Sequence, residues 1–233
     1  MKNHRGVFET IRTYRGRPFE LPAHLRRLRA SARTLRIPIL ENNRSLTQRI
    51  ITQCRIRGET RLKIIVTPSG RLIEATALRF SKKIYTSGVA VATYQVERKN
   101  PAVKSIERKA EDTAYAKASN RGYFDALLVR RDATIPEASR SNLFLVKHGI
   151  IYTANRHILY GITRAVILQL AKRSFKIDYF LPTLHDLYEA DECFLTRTST
   201  GIVPVVKVNR RKIGNGKPGP ITKQLMKLFE RYV

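Results

Sequence analysis

Residues 158–172 read ILYGITRAVILQLAK and combine a helical pattern with an unusual start. The second half of this stretch has the apolar spacing of an amphipathic helix, but its first half breaks that pattern at Gly161, Ile162 and Thr163. The first backbone amides of a helix have no partner inside the helix, and a preceding glycine lets a ligand approach them. Because a threonine can face an anion and no acidic residue in the first turn would repel one, we predict a phosphate-binding turn. An ordinary glycine turn before a helix is the alternative.

The chain has 233 residues, 42% of them apolar, which is enough for a packed core in one large domain or two small ones. Its net charge is +27, from 45 lysines and arginines against 18 acidic residues. Such an excess suggests anionic small molecules, an anionic surface or nucleic acid as partners. The basic residues are spread along the chain, however, and the aromatic residues are not grouped within basic tracts. We therefore expect nucleic-acid binding not to be the main role.

The two cysteines, Cys54 and Cys193, are far apart and lie in apolar segments. Without a CxxC pair or a dense cysteine framework, the sequence predicts neither a metal site nor a disulfide scaffold. The N-terminal residues lack the apolar run of a signal peptide, and no apolar stretch is long enough to span a membrane. These features predict a cytoplasmic protein that does not associate with membranes.

The order of the predicted elements divides the chain into two domains. Residues 1–96 are predicted to form a small α+β domain, 97–103 a polar linker, and 104–233 a larger domain. In the small domain we predict a hairpin turning at 15–17, helices over 21–35 and 45–57, and strands within 61–70, 73–81 and 88–96. In the larger domain we predict helices over 105–121, 183–190 and 221–233 besides the opening helix, and strands within 124–131, 142–149, 150–155, 176–181 and 192–199.

Three residues outside the opening stretch have side chains suited to a reactive, anion-binding site. Arg27 follows His24 by three residues on a predicted helix, so both point the same way, although an ordinary surface arginine is the alternative. Lys104 lies in the apolar frame PAVKS, where desolvation would lower its pKa and make it a nucleophile; a snorkelling surface lysine is the alternative. Glu137 lies between a strand and a serine-rich loop, where it could instead cap a turn.

Five segments, taken in order, carry a resemblance that covers nearly the whole chain. They are GVFETIRTYRGRPFELPAHLRRLRASA, the KS pair at Lys104, GYFDALLVRRDATIPEASRSNLFLVKHGIIYTAN, ILYGITRAVILQLA and ADECFLTRTSTGIVPV. The ordered set resembles the fold-type IV pyridoxal-phosphate enzymes, which include branched-chain aminotransferases, D-amino-acid aminotransferases and aminodeoxychorismate lyase. The resemblance implies a two-domain α/β and α+β fold, with a small N-terminal α+β domain and a larger C-terminal mixed-sheet domain. It also implies pyridoxal 5'-phosphate as the cofactor.

The resemblance also implies the catalytic pair. Lys104 matches the lysine that bonds covalently to the cofactor, and Glu137 matches the carboxylate that keeps the pyridine nitrogen protonated. The larger domain would therefore carry the lysine and most of the phosphate cup.

The phosphate and substrate contacts follow from the same likeness. Arg27 matches the phosphate-binding arginine, and Ile162 and Thr163 match the residues of the phosphate cup. Thr198 matches a threonine that closes the cup, and Ser199 lies in a loop that usually meets the substrate carboxylate.

Arg12, Arg61 and Arg197 are candidate clamps for the substrate carboxylate, with a structural or surface arginine as the alternative for each. Pro68 stands where D-amino-acid enzymes carry a carboxylate-binding arginine, which disfavours the simplest D-amino-acid assignment. Relatives usually have another strand and turn before the segment RGVFET, so we expect a small domain that is N-terminally short.

The resemblance implies an aminotransferase that moves an amino group between an amino acid and a 2-oxo acid, with a branched-chain-like or broad substrate range. The resemblance implies a homodimer. Two alternatives are a lyase of the aminodeoxychorismate type and a non-catalytic relative that uses its charge to bind polyanions.

Overall fold

The computed structural model of the protein describes residues 5–39, 42–53 and 59–233. Contacts group the chain into two units, each with its own β-sheet. The first unit contains the residues up to Arg79 and Ala102–Arg108; the second contains Phe80–Pro101 and Lys109–Tyr232. The predicted division into a smaller and a larger part therefore has a structural counterpart, but its boundaries differ.

The first unit has a four-stranded antiparallel sheet and two helices. Its elements are β1 (Val7–Tyr14), β2 (Arg17–Pro18), α1 (Leu21–Thr34), α2 (Asn43–Gln53), β3 (Thr60–Thr67) and β4 (Gly70–Ala77). The strand order is β2-β1-β3-β4. The predicted hairpin and first helix are confirmed. The predicted second helix is confirmed as far as Gln53, while its remainder, with Cys54, lies outside the described residues.

Alternation along β1 determines which of its side chains enter the core of the first unit. Val7, Glu9, Ile11 and Thr13 are all buried, so one face of the strand is turned inward. The buried face of α1 packs in the same core, and its leucines recur at the spacing of a helix. The arrangement places a carboxylate, that of Glu9, among apolar side chains.

The second unit has an eight-stranded mixed sheet with helices. Its elements are α3 (Lys83–Thr86), β5 (Val89–Gln95), α4 (Lys109–Ser119), β6 (Ala126–Val129), β7 (Asn142–Lys147), β8 (Ile150–Thr153), α5 (Ile162–Ala171), β9 (Ile177–Tyr179), α6 (Leu184–Tyr188), β10 (Glu192–Arg197), β11 (Gly201–Val208), β12 (Arg211–Lys212) and α7 (Pro220–Tyr232). The order is β6-β5-β11-β10-β7-β8-β9, and β12 pairs with β11. The middle strands β7 and β10 are almost wholly buried, as expected for a covered sheet.

Strand β5 marks the main difference from the predicted domain boundaries. It was expected to complete the small domain before residue 97, but it pairs in parallel with β6 and β11 in the second sheet. Strand β11 itself was not predicted. A parallel partner lies far away in sequence, so the local β pattern of β5 cannot show which sheet it joins.

Lys104 also differs from its predicted assignment. We expected it at the start of the larger domain, but its neighbours are those of the first unit. The amide of Phe8 on β1 donates to the carbonyl oxygen of Lys104 at 3.0 Å. The helix predicted from residue 105 begins at Lys109, so residues 102–108 form a connection that contacts the first sheet before the chain returns to the second unit.

Candidate active site

Glu9 brings together two basic side chains of α1 inside the first unit. Its surface is 0% exposed. Arg27 donates from Nε to Oε1 of Glu9 at 2.7 Å and from Nη2 to Oε2 at 2.8 Å. The Nδ1 of His24 lies 2.7 Å from Oε2. The predicted phosphate-binding arginine is therefore oriented by a buried carboxylate, in a two-bond pairing that fixes the plane of its guanidinium group.

Charges within this group determine its protonation. Burial alone would raise the pKa of the Glu9 carboxyl, but the Arg27 guanidinium, and to a smaller extent His24, hold that pKa well below its usual range. Burial lowers the pKa of the His24 imidazole, Glu9 acts in the opposite direction, and the charges of Arg27 and Lys104 lower the pKa further, so that it lies below its usual value. At neutral pH Glu9 is therefore ionised and His24 is neutral. The Nε2 of His24 has no hydrogen-bond partner among the described residues.

Lys104 is held by backbone contacts in the first unit. Its amide donates to Oγ of Ser31 on α1 at 3.2 Å. Its Nζ lies 4.4 Å from the centroid of the Phe8 ring, within the range of a cation–π contact. The structure therefore brings the predicted nucleophile and the predicted phosphate ligand Arg27 into the same unit.

The two candidate carboxylate clamps of the first unit lie opposite each other on the sheet, Arg12 on β1 and Arg61 on β3. The Nε of Arg12 donates to Oε2 of Glu59 at 2.7 Å, and its guanidinium carbon lies 4.3 Å from the centre of the Tyr14 ring. Arg61 is exposed. Arg12 thus has partners of its own, and a substrate-binding role for either arginine stays a prediction.

Glu137 is a buried carboxylate of the second unit, 3% exposed. The guanidinium of Arg98 pairs with its Oε1 and also donates to Glu111 of α4, at 2.9 Å. Its Oε2 accepts a hydrogen bond from Nδ2 of Asn142 at 3.2 Å and from the amide of Leu159 at 3.0 Å. Both oxygens are therefore oriented, and one of them is tied to the segment that leads into α5.

The N-terminus of α5 has the properties that the sequence predicted for an anion site. Its N-cap residue, Gly161, supplies no side-chain cap, and the first turn contains no acidic residue. Thr163 is 3% exposed, and its Oγ1 has no hydrogen-bond partner among the described residues. A buried hydroxyl without a partner is costly, and a phosphate oxygen accepting from it would remove that cost. Together with the unpaired first-turn amides, which begin at Ile162, these groups fit a phosphate.

Asn142 connects this turn to Glu137. Its Nδ2 also donates to the carbonyl oxygen of Leu159 at 2.8 Å. A Cβ on Gly161 would overlap the Oδ1 of Asn142, so the close approach depends on glycine at this position. The absence of a side chain at Gly161 therefore leaves room for the Asn142 side chain, which orients Glu137.

Strand β10 leads from this region to the predicted loop. Thr196 is opposite Asn142 in the register of β10 and β7, is 2% exposed, and has an Oγ1 without a partner among the described residues. Thr198 and Ser199, predicted at the phosphate and at the substrate carboxylate, follow in the turn to β11 and are partly buried. Thr196 is thus another buried hydroxyl of the second unit without a hydrogen-bond partner among the described residues.

Arg197, the third candidate clamp, is occupied within the second unit. Its Nε donates to Oγ1 of Thr200 at 3.2 Å, and its guanidinium carbon lies 4.3 Å from the centre of the Phe124 ring. Burial lowers the pKa of this guanidinium, although Asp125 and Tyr115 act in the opposite direction. A substrate-binding role for Arg197 stays a prediction.

The side chains that orient predicted site residues, those of Glu9, Arg98 and Asn142, were not among the predictions. Glu9 had a usable signal, because an acidic residue at an inward position of an alternating strand requires a buried cation nearby. Arg98 and Asn142 had none, since their role depends on tertiary contacts, and Arg98 is 39 residues from Glu137.

Within the described residues, no helix has the length and apolar character needed to cross a membrane. The same part of the chain holds no cluster of three or more histidine, cysteine or acidic side chains that could bind a metal ion. Cys193 is a buried free thiol, and burial raises its pKa.

A unit with a four-stranded antiparallel sheet and a larger unit with a mixed sheet agree with the two-domain architecture expected of the fold-type IV class. Residues 6–208 match the model of the family described as amino-transferase class IV. The chain belongs to that family.

Individual relatives agree with this assignment. The "Probable branched-chain-amino-acid aminotransferase" of Thermotoga maritima is 32% identical, over 97% of this chain and 86% of that protein. The D-alanine aminotransferase of Listeria monocytogenes is 30% identical, over 96% and 85%. A branched-chain amino acid aminotransferase of T.th., solved with pyridoxamine 5'-phosphate, matches with a TM-score of 0.89 and 25% identity, over 99% of this chain and 85% of that one. The predicted fold class is confirmed.

Proposed function

We propose that the protein is a pyridoxal 5'-phosphate-dependent aminotransferase that moves an amino group between an amino acid and a 2-oxo acid. The observation that carries the proposal is the start of α5, where an acid-free turn and the buried, unpartnered hydroxyl of Thr163 fit a phosphate. Buried Glu137 lies in the same unit, linked to this turn through Asn142. The family and the relatives named above support the same reaction class.

Five residues would hold the aldehyde and phosphate ends of the cofactor. Lys104 would hold it covalently through Nζ, while Arg27, Thr163, Thr198 and the amide of Ile162 would bind its phosphate. When bound, pyridoxal 5'-phosphate supplies an electron sink for the charge that remains when the Cα–H bond of the amino acid breaks.

The protein's own groups then place and move protons. Glu137 is oriented by Arg98 and Asn142, so that its carboxylate can hold a proton on the ring nitrogen of the cofactor. Once the amino group of the substrate takes its place on the cofactor, the released Nζ of Lys104 would act as the general base that takes the α-proton and later returns it. Glu9 keeps the guanidinium of Arg27 in a fixed plane for the phosphate.

For the substrate we propose a branched-chain-like or broad range of amino acids. Ser199 and the arginines Arg12, Arg61 and Arg197 are the candidates for binding the substrate carboxylate. Proline at position 68, in the turn after β3, disfavours the simplest D-amino-acid enzyme. A substrate screen over L- and D-amino acids with 2-oxoglutarate as acceptor tests this range.

We also propose that the protein acts as a homodimer in the cytoplasm. The homodimer is implied by the resemblance to the fold-type IV enzymes. The buried free thiol of Cys193 suits a reducing compartment. Light scattering on the purified protein tests the oligomeric state.

The reaction is tested by an absorption spectrum with added pyridoxal phosphate, before and after borohydride, followed by product analysis. We expect a visible band that borohydride fixes, and a keto acid together with a new amino acid as products. Lys104→Ala should abolish the band and the turnover, because both depend on a covalent bond between Nζ and the cofactor.

Lys63→Ala is the matched control, since its Nζ approaches the same Phe8 ring, at 5.9 Å, and it should retain the band. Turnover that survives in Lys104→Ala would remove that residue from the mechanism. Pyruvate and an aromatic amine as products would identify a lyase instead.

A further inference from the structure

The reaction proposed above does not use the protein's basic excess, part of which lies on one helix face. Four arginines occupy the solvent side of α1 and the turn that follows it: Arg26, Arg29, Arg33 and Arg36. We call them the arginine face. Three are exposed and Arg29 is partly buried. Neither α1 nor the five residues after it contain an acidic side chain.

The geometry of α1 keeps these side chains together. At about 100° per residue, the first three lie within roughly 60° of one another around the helix axis. The opposite side of α1 is buried in the core of the first unit, and Arg27 is turned inward to Glu9, so neither belongs to the face. Helix α2 adds no acidic residue.

The end of α1 extends the same charge. Arg36 has a φ of 52°, which places it in the left-handed region just after the helix. Its carbonyl oxygen accepts a hydrogen bond from Nη2 of Arg5 at 3.3 Å, so a fifth guanidinium lies at this end. Most residues other than glycine lose free energy in this left-handed backbone conformation, and position 36 has an arginine there.

We propose that the arginine face binds the phosphate backbone of duplex nucleic acid, independently of sequence and of amino-group transfer. Arg26 and Arg33 are about 10 Å apart along the helix axis. A duplex presents one negative charge per about 1.7 Å of its axis, so several phosphates lie within reach of the four side chains. Guanidinium groups match phosphate oxygens with two parallel hydrogen bonds.

An anionic membrane surface and single-stranded nucleic acid fit the arginine face less well than a duplex does. A membrane-surface helix inserts apolar side chains beside its basic ones, but the apolar side of α1 is buried in the core. Single-stranded nucleic acid is held largely by stacking on aromatic rings. Among the described residues of the first unit, the exposed large hydrophobic side chains are Ile51 and Leu72, neither of them aromatic.

The experiment compares two variants of equal net charge in the full-length protein. The face variant combines Arg26→Gln, Arg29→Gln, Arg33→Gln and Arg36→Gln, in which glutamine keeps a similar helix propensity. The control combines Lys172→Gln, Arg173→Gln, Lys223→Gln and Lys227→Gln, which neutralise four exposed cations of the second unit. Binding of each to a labelled 20-base-pair DNA duplex of arbitrary sequence is measured between 50 and 200 mM KCl, with circular dichroism as a check on folding.

We expect the face variant to lose at least about tenfold in affinity at 50 mM KCl, and the control to bind like the unmodified protein. Since each phosphate contact contributes about 0.9 to the salt slope, the loss of four contacts should reduce that slope by roughly 3 to 4. Equal losses in both variants would overturn the proposal, because total charge would then explain binding. A protein that binds phosphatidylserine vesicles or single strands but no duplex would overturn it as well.

Discussion

Two helices of the second unit have an Ile-Thr pair in the first turn but differ in how their N-termini are satisfied. Ile162-Thr163 opens α5 directly after Gly161, and Ile221-Thr222 follows Pro220, the first residue of α7, which comes after Gly219. Both threonines are buried, and the Oγ1 of each has no hydrogen-bond partner among the described residues. The local sequence therefore does not distinguish a structural helix end from a binding site.

The difference comes from a side chain on another strand. In α7 the carboxylate of Glu192, on β10, accepts hydrogen bonds from the amides of Ile221 at 2.9 Å and Thr222 at 2.7 Å. The start of α5 has no side-chain cap, and Asn142 lies beside it. One helix end is thus served by the protein's own anion, whereas the other is left with donors for an external one.

The two glycines provide the largest test of this contrast. A Cβ on Gly161 would overlap Oδ1 of Asn142, and a Cβ on Gly219 would overlap the carboxyl group of Glu192. Gly161→Ala must therefore displace the side chain that orients Glu137, and we expect activity to fall by about 100-fold, the effect of a misplacement of about 1 Å. Steady-state kinetics with saturating cofactor measure this.

Gly219→Ala is the matched control for that experiment. It should lower the thermal unfolding midpoint by disturbing the cap of α7, while turnover per folded molecule stays near that of the unmodified protein. If both alanine variants lost activity to the same degree, the two helix ends would not have separate roles.

The second prediction removes the internal anion of α7. Glu192→Gln leaves one neutral acceptor oxygen where the carboxylate has two, so one of the two amides loses its partner, and we expect a loss of about 1–2 kcal/mol in the free energy of unfolding. Cofactor affinity should not change. Chemical denaturation measures the loss, with Glu230→Gln, an exposed position of the same helix, as the control. A stability equal to that of the control variant would contradict a capping role for Glu192.

The sequence predicted the elements and the residue types of the site better than their connections. The turn at Gly161 and the acid-free start of α5 could be predicted because helix N-termini have a local sequence signature. The sheet to which β5 belongs and the contacts of Asn142 with Glu137 were not, because they depend on strands distant in sequence. Lys104 was recognised as a residue but was predicted in the wrong unit, since the return of residues 102–108 to the first sheet has no local pattern.

The third prediction compares the buried hydroxyls of Thr163, on α5, and Thr222, on α7. Thr163→Val keeps the shape of the side chain but removes Oγ1, so we expect about tenfold weaker binding of pyridoxal phosphate, the effect of one hydrogen bond to a charged group. The stability of the cofactor-free protein should be unchanged or slightly higher, because an unsatisfied hydroxyl is lost. Titration of cofactor absorbance measures the affinity. Thr222→Val should leave that affinity unchanged; a parallel loss there would show that the effect is not specific to the phosphate.

The smallest expected effect concerns Glu9. Unlike Glu192, which accepts hydrogen bonds from helix amides, Glu9 is paired with the side chains of Arg27 and His24. Because the pKa of His24 is lowered in the folded protein, the unfolded chain takes up a proton that the folded one does not below about pH 6.5. Stability should therefore fall as pH decreases from 7 to 5.5, by up to about 1.4 kcal/mol per pH unit below 6.5. Below about pH 4.3 the lowered pKa of Glu9 adds a loss of the same sign.

Denaturation midpoints between pH 7 and 5.5 check this, with His24→Gln as the test variant, since it keeps a donor for Glu9 without titrating. His24→Gln should show a flatter pH dependence than the unmodified protein. If stability depended on pH equally in His24→Gln and in the unmodified protein, the acid sensitivity would arise from other groups. The charges of Glu9 and His24 would then be constant between pH 7 and 5.5, as we expect for the capped end of α7.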